Sequence, residues 1–232
     1  MPRQNRVTPF GELIATTARG TLMGNRGCLH DADGRIRRSY VGKRWIICVL
    51  EFKGRRRRVM TPRRYTELFF LDEATALAAG HRPCAECQRS RYLEFCRHWA
   101  ASSRAAAPGG SLSADDLDDA LHAERVDDEQ RRRTYAERWS RLPDGAMVAD
   151  DEGRAYLVHE GRLLPWTPSG YGPARRSSPA VAVRVLTPRS VVAAIRHGYP
   201  VELHPSAMRC GIPRPRARTP RAATPSGRSR LV

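Results

Sequence analysis

Two cysteines lie two residues apart in Gly80-His81-Arg82-Pro83-Cys84-Ala85-Glu86-Cys87, between one predicted helix that stops at Gly80 and a second that starts after Cys87. This spacing lets both thiolates bind one tetrahedral metal ion at about 2.3 Å, and the start of a helix favours the ionised sulfur. A redox dithiol instead follows a strand of a βαβ unit, whereas this pair follows a helix and a Pro-Cys turn. The pattern predicts half of a zinc site, with a redox pair or two ordinary cysteines as alternatives.

The other ligands must come from elsewhere in the chain. Cys96 lies nine residues beyond Cys87 on the second predicted helix, about 13 Å along its axis, which excludes Cys96 and the nearby His98. Cys48 shares one face of a predicted strand with apolar neighbours, so we interpret it as a core cysteine.

Cys28 and His30 remain, in a loop that glycines flank and that can bring a thiolate and an imidazole to the metal. The predicted zinc ligands are therefore Cys28, His30, Cys84 and Cys87.

Six cysteines without an export signal are more typical of metal or thiol chemistry than of a disulfide framework. No apolar run approaches the ~20 residues that a membrane span requires. We therefore expect a cytoplasmic protein that has no membrane partner.

The net charge of +17 is concentrated in two segments. Residues 35–64 contain twelve Lys or Arg against one acid, and residues 209–232 contain seven Arg and no acid. A GC-rich genome can raise the arginine content, but it would spread arginine more evenly. The clustering favours a surface that binds nucleic-acid phosphates, since the planar guanidinium donates two parallel hydrogen bonds. The candidate nucleic-acid-binding residues are Arg55, Arg56, Arg57, Arg58, Arg63 and Arg64.

Hydrophobic periodicity and capping residues predict an α+β fold. A strand over 44–52 turns at 53–55 into a second short strand that ends at Met60, which gives a basic hairpin. Helices are predicted at 73–79, 89–100, 113–125, 131–139 and after Pro188, and strands at 146–148, 155–158, 163–166 and 181–186. The predicted organisation is a small zinc-stabilised N-terminal domain with the basic hairpin (1–100), a helical middle segment (101–141), a small α+β C-terminal domain (142–206) and a disordered basic tail (207–232).

The run Phe69-Phe70-Leu71-Asp72-Glu73-Ala74-Thr75-Ala76-Leu77-Ala78-Ala79-Gly80-His81-Arg82-Pro83-Cys84-Ala85-Glu86-Cys87-Gln88-Arg89 resembles the second zinc knuckle of the metal-binding domain of Ada-type DNA-repair regulators. In that family four cysteines hold zinc, and one of them takes a methyl group from alkylated DNA phosphate. The resemblance implies a zinc fold, contact with DNA in preference to RNA, and a link to DNA repair or its regulation. If methyl acceptance is retained, it would assign the acceptor role to Cys28.

This chain also departs from that family. The family's first cysteine pair is a C-x-x-x-C about thirty residues before the knuckle, whereas here Cys28 precedes Cys84 by 56 positions and has only His30 nearby. Neither a P-C-H-R methyltransferase motif nor a helix-turn-helix pattern is evident. Whether the chain is an enzyme therefore stays open at this point, as does the choice between a structural and a reactive zinc.

Three alternatives stay open. His122-Ala123-Glu124 together with the C-x-x-C is similar to the H-x-E and P-C-x-x-C signature of zinc nucleobase deaminases, with Glu124 as proton shuttle, although the order is reversed here. A catalytic zinc-thiolate protein that accepts alkyl groups is the second alternative. A structural zinc protein that binds another protein is the third.

Overall fold

The computed structural model describes residues 1–55, 58–102, 113–175 and 177–210. In this part of the chain two six-stranded sheets, five α-helices and a short 3-10 helix (Trp139–Arg141) form an α+β fold. The strands are β1 (Gln4–Val7), β2 (Leu13–Ala15), β3 (Leu22–Asn25), β4 (Ile46–Cys48), β5 (Leu68–Phe70), β6 (Arg82–Pro83), β7 (Tyr135–Arg138), β8 (Met147–Ala149), β9 (Ala155–His159), β10 (Arg162–Thr167), β11 (Gly170–Tyr171) and β12 (Ala182–Val185). The helices are α1 (Glu73–Ala78), α2 (Arg89–Ser102), α3 (Ala114–Arg125), α4 (Arg189–Arg196) and α5 (Pro205–Cys210).

The first sheet contains strands from the N-terminal part of the chain in the order β2-β1-β5-β3-β4-β6. It is mixed, since β1 with β5 and β4 with β6 pair in parallel and the other neighbours are antiparallel. Pro83 has no N–H to donate, and an edge strand such as β6 tolerates it.

The basic hairpin predicted over 44–60 is not present in the described residues. Only Ile46–Cys48 forms a strand, and both of its edges are occupied, by β3 on one side and β6 on the other. No edge of β4 is left for a hairpin partner. The predicted turn does form, with Lys53 and Gly54 at positive φ and the Arg55 N–H donating to the Phe52 carbonyl at 3.0 Å.

The second sheet is antiparallel, in the order β11-β10-β9-β8-β12-β7, and it confirms the strands predicted at 146–148, 155–158, 163–166 and 181–186. The helix predicted over 131–139 is wrong. Residues 135–138 instead form β7, which alternates half-buried and exposed positions and pairs with β12. That period of two fits a strand at a sheet edge.

Helix α1 lies between the two sheets and is buried along its whole length. Asp72 caps it, because its Oδ1 accepts hydrogen bonds from the Thr75 backbone N–H and hydroxyl at 2.9 and 2.7 Å. Gly80, at φ +90°, ends the helix in the left-handed conformation that glycine favours. Asp72 also reaches the second sheet, since its Oδ2 accepts from the Tyr171 hydroxyl at 2.8 Å.

The other predicted helices are confirmed. Ser113 and Asp116 form the capping box at the start of α3, and α2 packs against α4. None of the helices in the described parts of the chain is long and apolar enough to cross a membrane.

The hydrophobic clusters contain residues from more than one of the domains predicted from the sequence. One cluster joins residues of the first sheet, such as Val7 and Phe70, to Leu117 in α3 and to Val191 and Ile195 in α4. A second joins α1 to strands of the second sheet. Residues 207–210, which the sequence assigns to the tail, are helical in α5, where Ala207 is buried, and the rest of the predicted tail, 211–232, lies outside the described residues.

Candidate metal centre

The pairing of β4 with β6 places two cysteines side by side. These strands run parallel with Ile46 opposite Arg82 and Ile47 opposite Pro83, so the next positions on the two strands are Cys48 and Cys84. The Cys84 N–H extends the ladder by donating to the Ile47 carbonyl at 2.9 Å. Two segments that are 36 positions apart in sequence thereby meet at this edge of the sheet.

Cys87 joins them because the chain turns after Cys84 into helix α2. The Gln88 N–H donates to the Cys84 carbonyl at 3.1 Å, and the Gln88 side chain donates to the Ile47 carbonyl at 2.9 Å. The Glu86 N–H donates to the Cys84 sulfur at 3.4 Å. Backbone N–H groups pointed at a sulfur stabilise it as a thiolate, the form in which cysteine binds metals.

The three Sγ atoms of Cys48, Cys84 and Cys87 all lie within 4.8 Å of one another. Three thiolates bound to one tetrahedral zinc ion at about 2.3 Å are separated by about 3.8 Å, so the observed group is close to that arrangement. These three cysteines can hold a metal ion. The prediction of a metal site at the C-x-x-C pair is consistent with this geometry, although Cys48 is the third cysteine and not Cys28.

The thiols also influence each other's ionisation. The hydrogen bond from the Cys48 thiol is the largest cause that lowers the pKa of Cys84, to about 5, and it also lowers the pKa of Cys87. The pKa of Cys48 is raised, first by its hydrogen bond to Cys84 and next by that to Cys87. These shifts favour the thiolate form, which a metal site requires, at Cys84 and Cys87 more than at Cys48.

A cavity of about 470 Å³ opens beside the three cysteines, which form part of its wall. Most of the remaining wall is apolar, and Glu67 is a buried carboxylate within it, held by the Met60 backbone N–H at 2.7 Å. Arg55 and Glu86 form a 2.8 Å ion pair that also lines the cavity. The apolar lining residues are Met23, Ile46, Val49, Leu50, Phe52, Val59 and Phe69.

The structure does not bring Cys28 and His30 into the cysteine group. The Cys28 thiol donates to the His30 carbonyl at 3.7 Å, and the His30 ring contacts the Thr66 hydroxyl at 2.6 Å and the Thr61 carbonyl at 3.2 Å. A carbonyl only accepts, so His30 Nε2 carries the proton and Nδ1 accepts from Thr66. Both ring nitrogens are occupied within the protein, and β3, antiparallel to β4, leads the chain away from Cys48 as it runs from Met23 to Asn25.

Cys48 is the residue that the sequence interpretation missed. Alternation along the strand grouped it with Leu50 on a core face, but β4 ends at Cys48, and Leu50 is about half exposed. No local pattern reveals that residues 46–47 pair in parallel with residues 82–83. Cys96, excluded by helical rise, is indeed not part of the group.

Three of the described candidate nucleic-acid residues lie next to this site. Arg55 lines the cavity, and Arg58 and Arg64 line an adjoining pocket that shares the wall residues Tyr65 and Glu67. Arg55, Arg58, Arg63 and Arg64 are exposed, whereas Arg56 and Arg57 lie outside the described residues.

The deaminase interpretation has no support from the geometry. Glu124 accepts hydrogen bonds from the Ser190 N–H at 2.9 Å and hydroxyl at 2.8 Å, and thereby caps α4, while His122 packs edge-on against Tyr40. Neither residue lines the cysteine cavity.

Comparisons with models of protein families, with curated proteins and with solved structures find no match for this chain.

Proposed function

We propose that this protein binds one zinc ion through Cys48, Cys84 and Cys87 and contacts DNA through the basic surface beside that site. The approach of three sulfurs to within 4.8 Å carries the metal assignment. Thiolate donors favour zinc, copper(I) and iron–sulfur clusters, and the likeness of the C-x-x-C segment to a zinc knuckle favours zinc among these.

The basic surface supports the nucleic-acid part of the proposal. Among the described residues Arg58, Arg63 and Arg64 are exposed and form no ion pair with an acidic side chain, so their charges are available to phosphates. DNA is the preferred partner because the resemblance is to DNA-repair regulators. The acceptor role of Cys28 has no support in the geometry, because zinc activates only a thiolate bound to it.

Zinc content tests the metal assignment. We expect about one zinc per chain by atomic emission spectrometry, and we expect Cys48→Ser, Cys84→Ser and Cys87→Ser each to lose it, since each variant leaves only two thiolates. Cys28→Ser is the matched control and should retain full zinc. If Cys28→Ser loses the metal while Cys48→Ser retains it, the ligand set is the one predicted from sequence and the present assignment is wrong.

Salt dependence tests the DNA assignment. Binding to a duplex should weaken steeply as salt rises, and replacing Arg58, Arg63 and Arg64 by alanine should flatten the log–log slope by up to about 3, at about 0.9 per phosphate contact. The control replaces Arg131, Arg141 and Arg154, which are exposed and each lie beside an acid. Equal effects of the two triple variants would show that only net charge matters, and salt-insensitive binding would eliminate the DNA assignment.

A further inference from the structure

The cysteine group has three members, and zinc prefers four ligands. Within the described parts of the chain no His, Asp or Glu joins Cys48, Cys84 and Cys87 as a further donor. Structural zinc sites take all four ligands from the protein, whereas sites that act on a small molecule keep one position open. A set of three therefore leaves a coordination position for a ligand that the described chain does not supply.

The cavity shows where that ligand would lie. All three cysteines form part of the wall of the 470 Å³ cavity, so a metal ion bound to them borders this space. The volume falls within the range of about 300–1,000 Å³ that is usual for small-molecule sites.

The chemistry of the wall restricts the ligand. Seven apolar side chains line the cavity and favour an organic body over water. Three anionic sulfurs leave little positive charge on a zinc ion, which weakens its activation of water and favours a soft donor such as another thiolate. The backbone N–H of Glu86 already donates to the Cys84 sulfur, and such bonds help the site to carry the added negative charge.

Glu67 is the buried carboxylate of this wall, which also contains the exposed Arg55–Glu86 ion pair. Glu67 is only 4% exposed, and one of its carboxylate oxygens accepts from the Met60 N–H, which fixes its position. A buried carboxylate accepts hydrogen bonds, so it selects a ligand that carries a donor such as an amine and disfavours one that carries an acid.

We infer that the open position binds a small organic thiol, which releases its proton to solvent and binds the metal through its thiolate sulfur. Its apolar body lies in the cavity, and any hydrogen-bond donor points toward Glu67. This inference rests on the proposed metal site. It departs from the four-cysteine arrangement of the Ada-type knuckle, because the fourth sulfur comes from a free molecule and not from the chain.

The test uses the full chain loaded anaerobically with one equivalent of cobalt(II), whose sulfur-to-metal charge-transfer absorption reports the number of bound thiolates. Benzyl mercaptan is the probe, and benzyl alcohol, which has the same body without sulfur, is the control ligand. We expect benzyl mercaptan to increase the charge-transfer intensity by about a third, from three thiolates to four, while the protein retains its cobalt. Benzyl alcohol should leave the intensity unchanged.

Two variants test whether the thiol binds in the cavity, independently of metal content. Val59→Trp fills part of the cavity and should weaken benzyl mercaptan binding by at least about tenfold at unchanged cobalt content, a loss of about 1.4 kcal/mol. Val181→Trp, at an exposed position outside the cavity, should bind the thiol as the parent does.

The possible failures are distinguishable. A chain that retains one cobalt but shows the same charge-transfer band with and without benzyl mercaptan has a closed coordination shell, which overturns the inference and leaves the metal site intact. Equal thiol affinity of Val59→Trp and Val181→Trp places the ligand outside the cavity and also overturns it. A chain that takes up no stoichiometric cobalt overturns the proposed metal site together with this inference.

Discussion

His81 is a histidine in an environment that cannot support its charge. Its side chain is fully buried, its ring contacts Phe70 and Trp45 at centroid distances of 4.7 and 5.3 Å, and neither ring nitrogen has a hydrogen-bond partner among the described residues. An aromatic ring packed in this way acts as an apolar side chain. Burying its two nitrogens without hydrogen bonds costs free energy, and this cost is smaller for the neutral ring than for the charged ring.

Three arginines add to this effect. Burial is the main cause that lowers the pKa of His81 well below its ordinary value, and the charges of Arg26, Arg125 and Arg132 lower it further. The guanidinium groups of Arg26 and Arg125 lie over the Trp45 ring at 4.8 and 4.5 Å, beside His81. A proton on His81 would therefore face positive charge without a counter-ion.

The pH dependence of stability follows from this. Above pH 6.5 His81 is neutral in both the folded and the unfolded chain and contributes no slope. Below that value only the unfolded chain gains the proton, so the free energy of unfolding should fall by up to about 1.4 kcal/mol per pH unit. Urea unfolding of His81→Phe between pH 7.5 and 5.5 should show a shallower decline than the parent.

The exposed His197 provides the control, and His197→Asn should retain the slope of the parent. A His81→Phe protein whose stability falls with pH as steeply as that of the parent would show that other groups cause the decline.

Among the residues of the cysteine site, the sequence predicted some and missed others, for a physical reason. Cys84 and Cys87 are close in sequence, and the turn between them brings their sulfurs together whatever the rest of the fold does. Cys48 reaches them only through the parallel pairing of β4 with β6, which no local pattern encodes. The loop around Cys28 contains residues that can bind a metal, but their side chains form other hydrogen bonds. The Cys28 thiol donates to the His30 carbonyl, and the His30 ring contacts the Thr66 hydroxyl.

Among the elements, α3 is joined to β6, the edge strand that precedes Cys84, by a buried ion pair. The Arg82 guanidinium of β6 donates to both carboxylate oxygens of Asp118 on α3, at 3.0 and 2.6 Å, and both side chains are almost fully buried. Arg82 also lies over the Tyr92 ring of α2 at 5.2 Å. Two helices are thus fixed to the strand that leads directly into Cys84.

Removing the carboxylate should be costly. Asp118→Asn preserves the shape of the side chain but leaves the Arg82 charge buried without its counter-ion, so we expect a loss of about 3–5 kcal/mol in the free energy of unfolding, measured by urea denaturation. Asp119→Asn, one residue along, removes an exposed ion pair with Lys43 and should cost at most about 1 kcal/mol. Similar losses for the two variants would contradict a structural role for the buried pair.

Helices that have capping residues at their ends could be predicted from the sequence. The capping residues Asp72 and Ser113 and the glycine at the end of α1 act within one helical turn, so the sequence located α1 and α3 correctly. The hairpin over 44–60 and the helix over 131–139 were wrong because strand pairing decided both. β4 pairs on both edges with distant strands, and β7 is held by β12.

In the whole molecule, helices α1 and α4 link the cores of the two sheets, because each contributes residues to a hydrophobic cluster of both. Helix α4 follows the second sheet in sequence, yet Val191, Ala194 and Ile195 belong to the same hydrophobic cluster as Val7 of the first sheet. The amphipathic pattern of α4 predicts that one face is buried but not which partner buries it. The sequence-based boundary near residue 142 is therefore crossed by packing that only the folded chain displays.

If packing through α4 governs stability, a destabilising change in α4 should lower the temperature at which the proposed zinc ion is released. Ile195→Ala removes buried methyl groups far along the chain from the cysteines and should cost about 2–5 kcal/mol. Because α1 and α4 contribute to clusters of both sheets, we expect one cooperative thermal transition by calorimetry. Zinc release, followed by a metal-sensitive dye, should shift to lower temperature together with it. Val181→Ala, at an exposed position, should leave both temperatures unchanged. Two separate transitions in which Ile195→Ala shifts only one, while zinc leaves at the parent temperature, would show that the part of the chain with the cysteine group folds independently of α4.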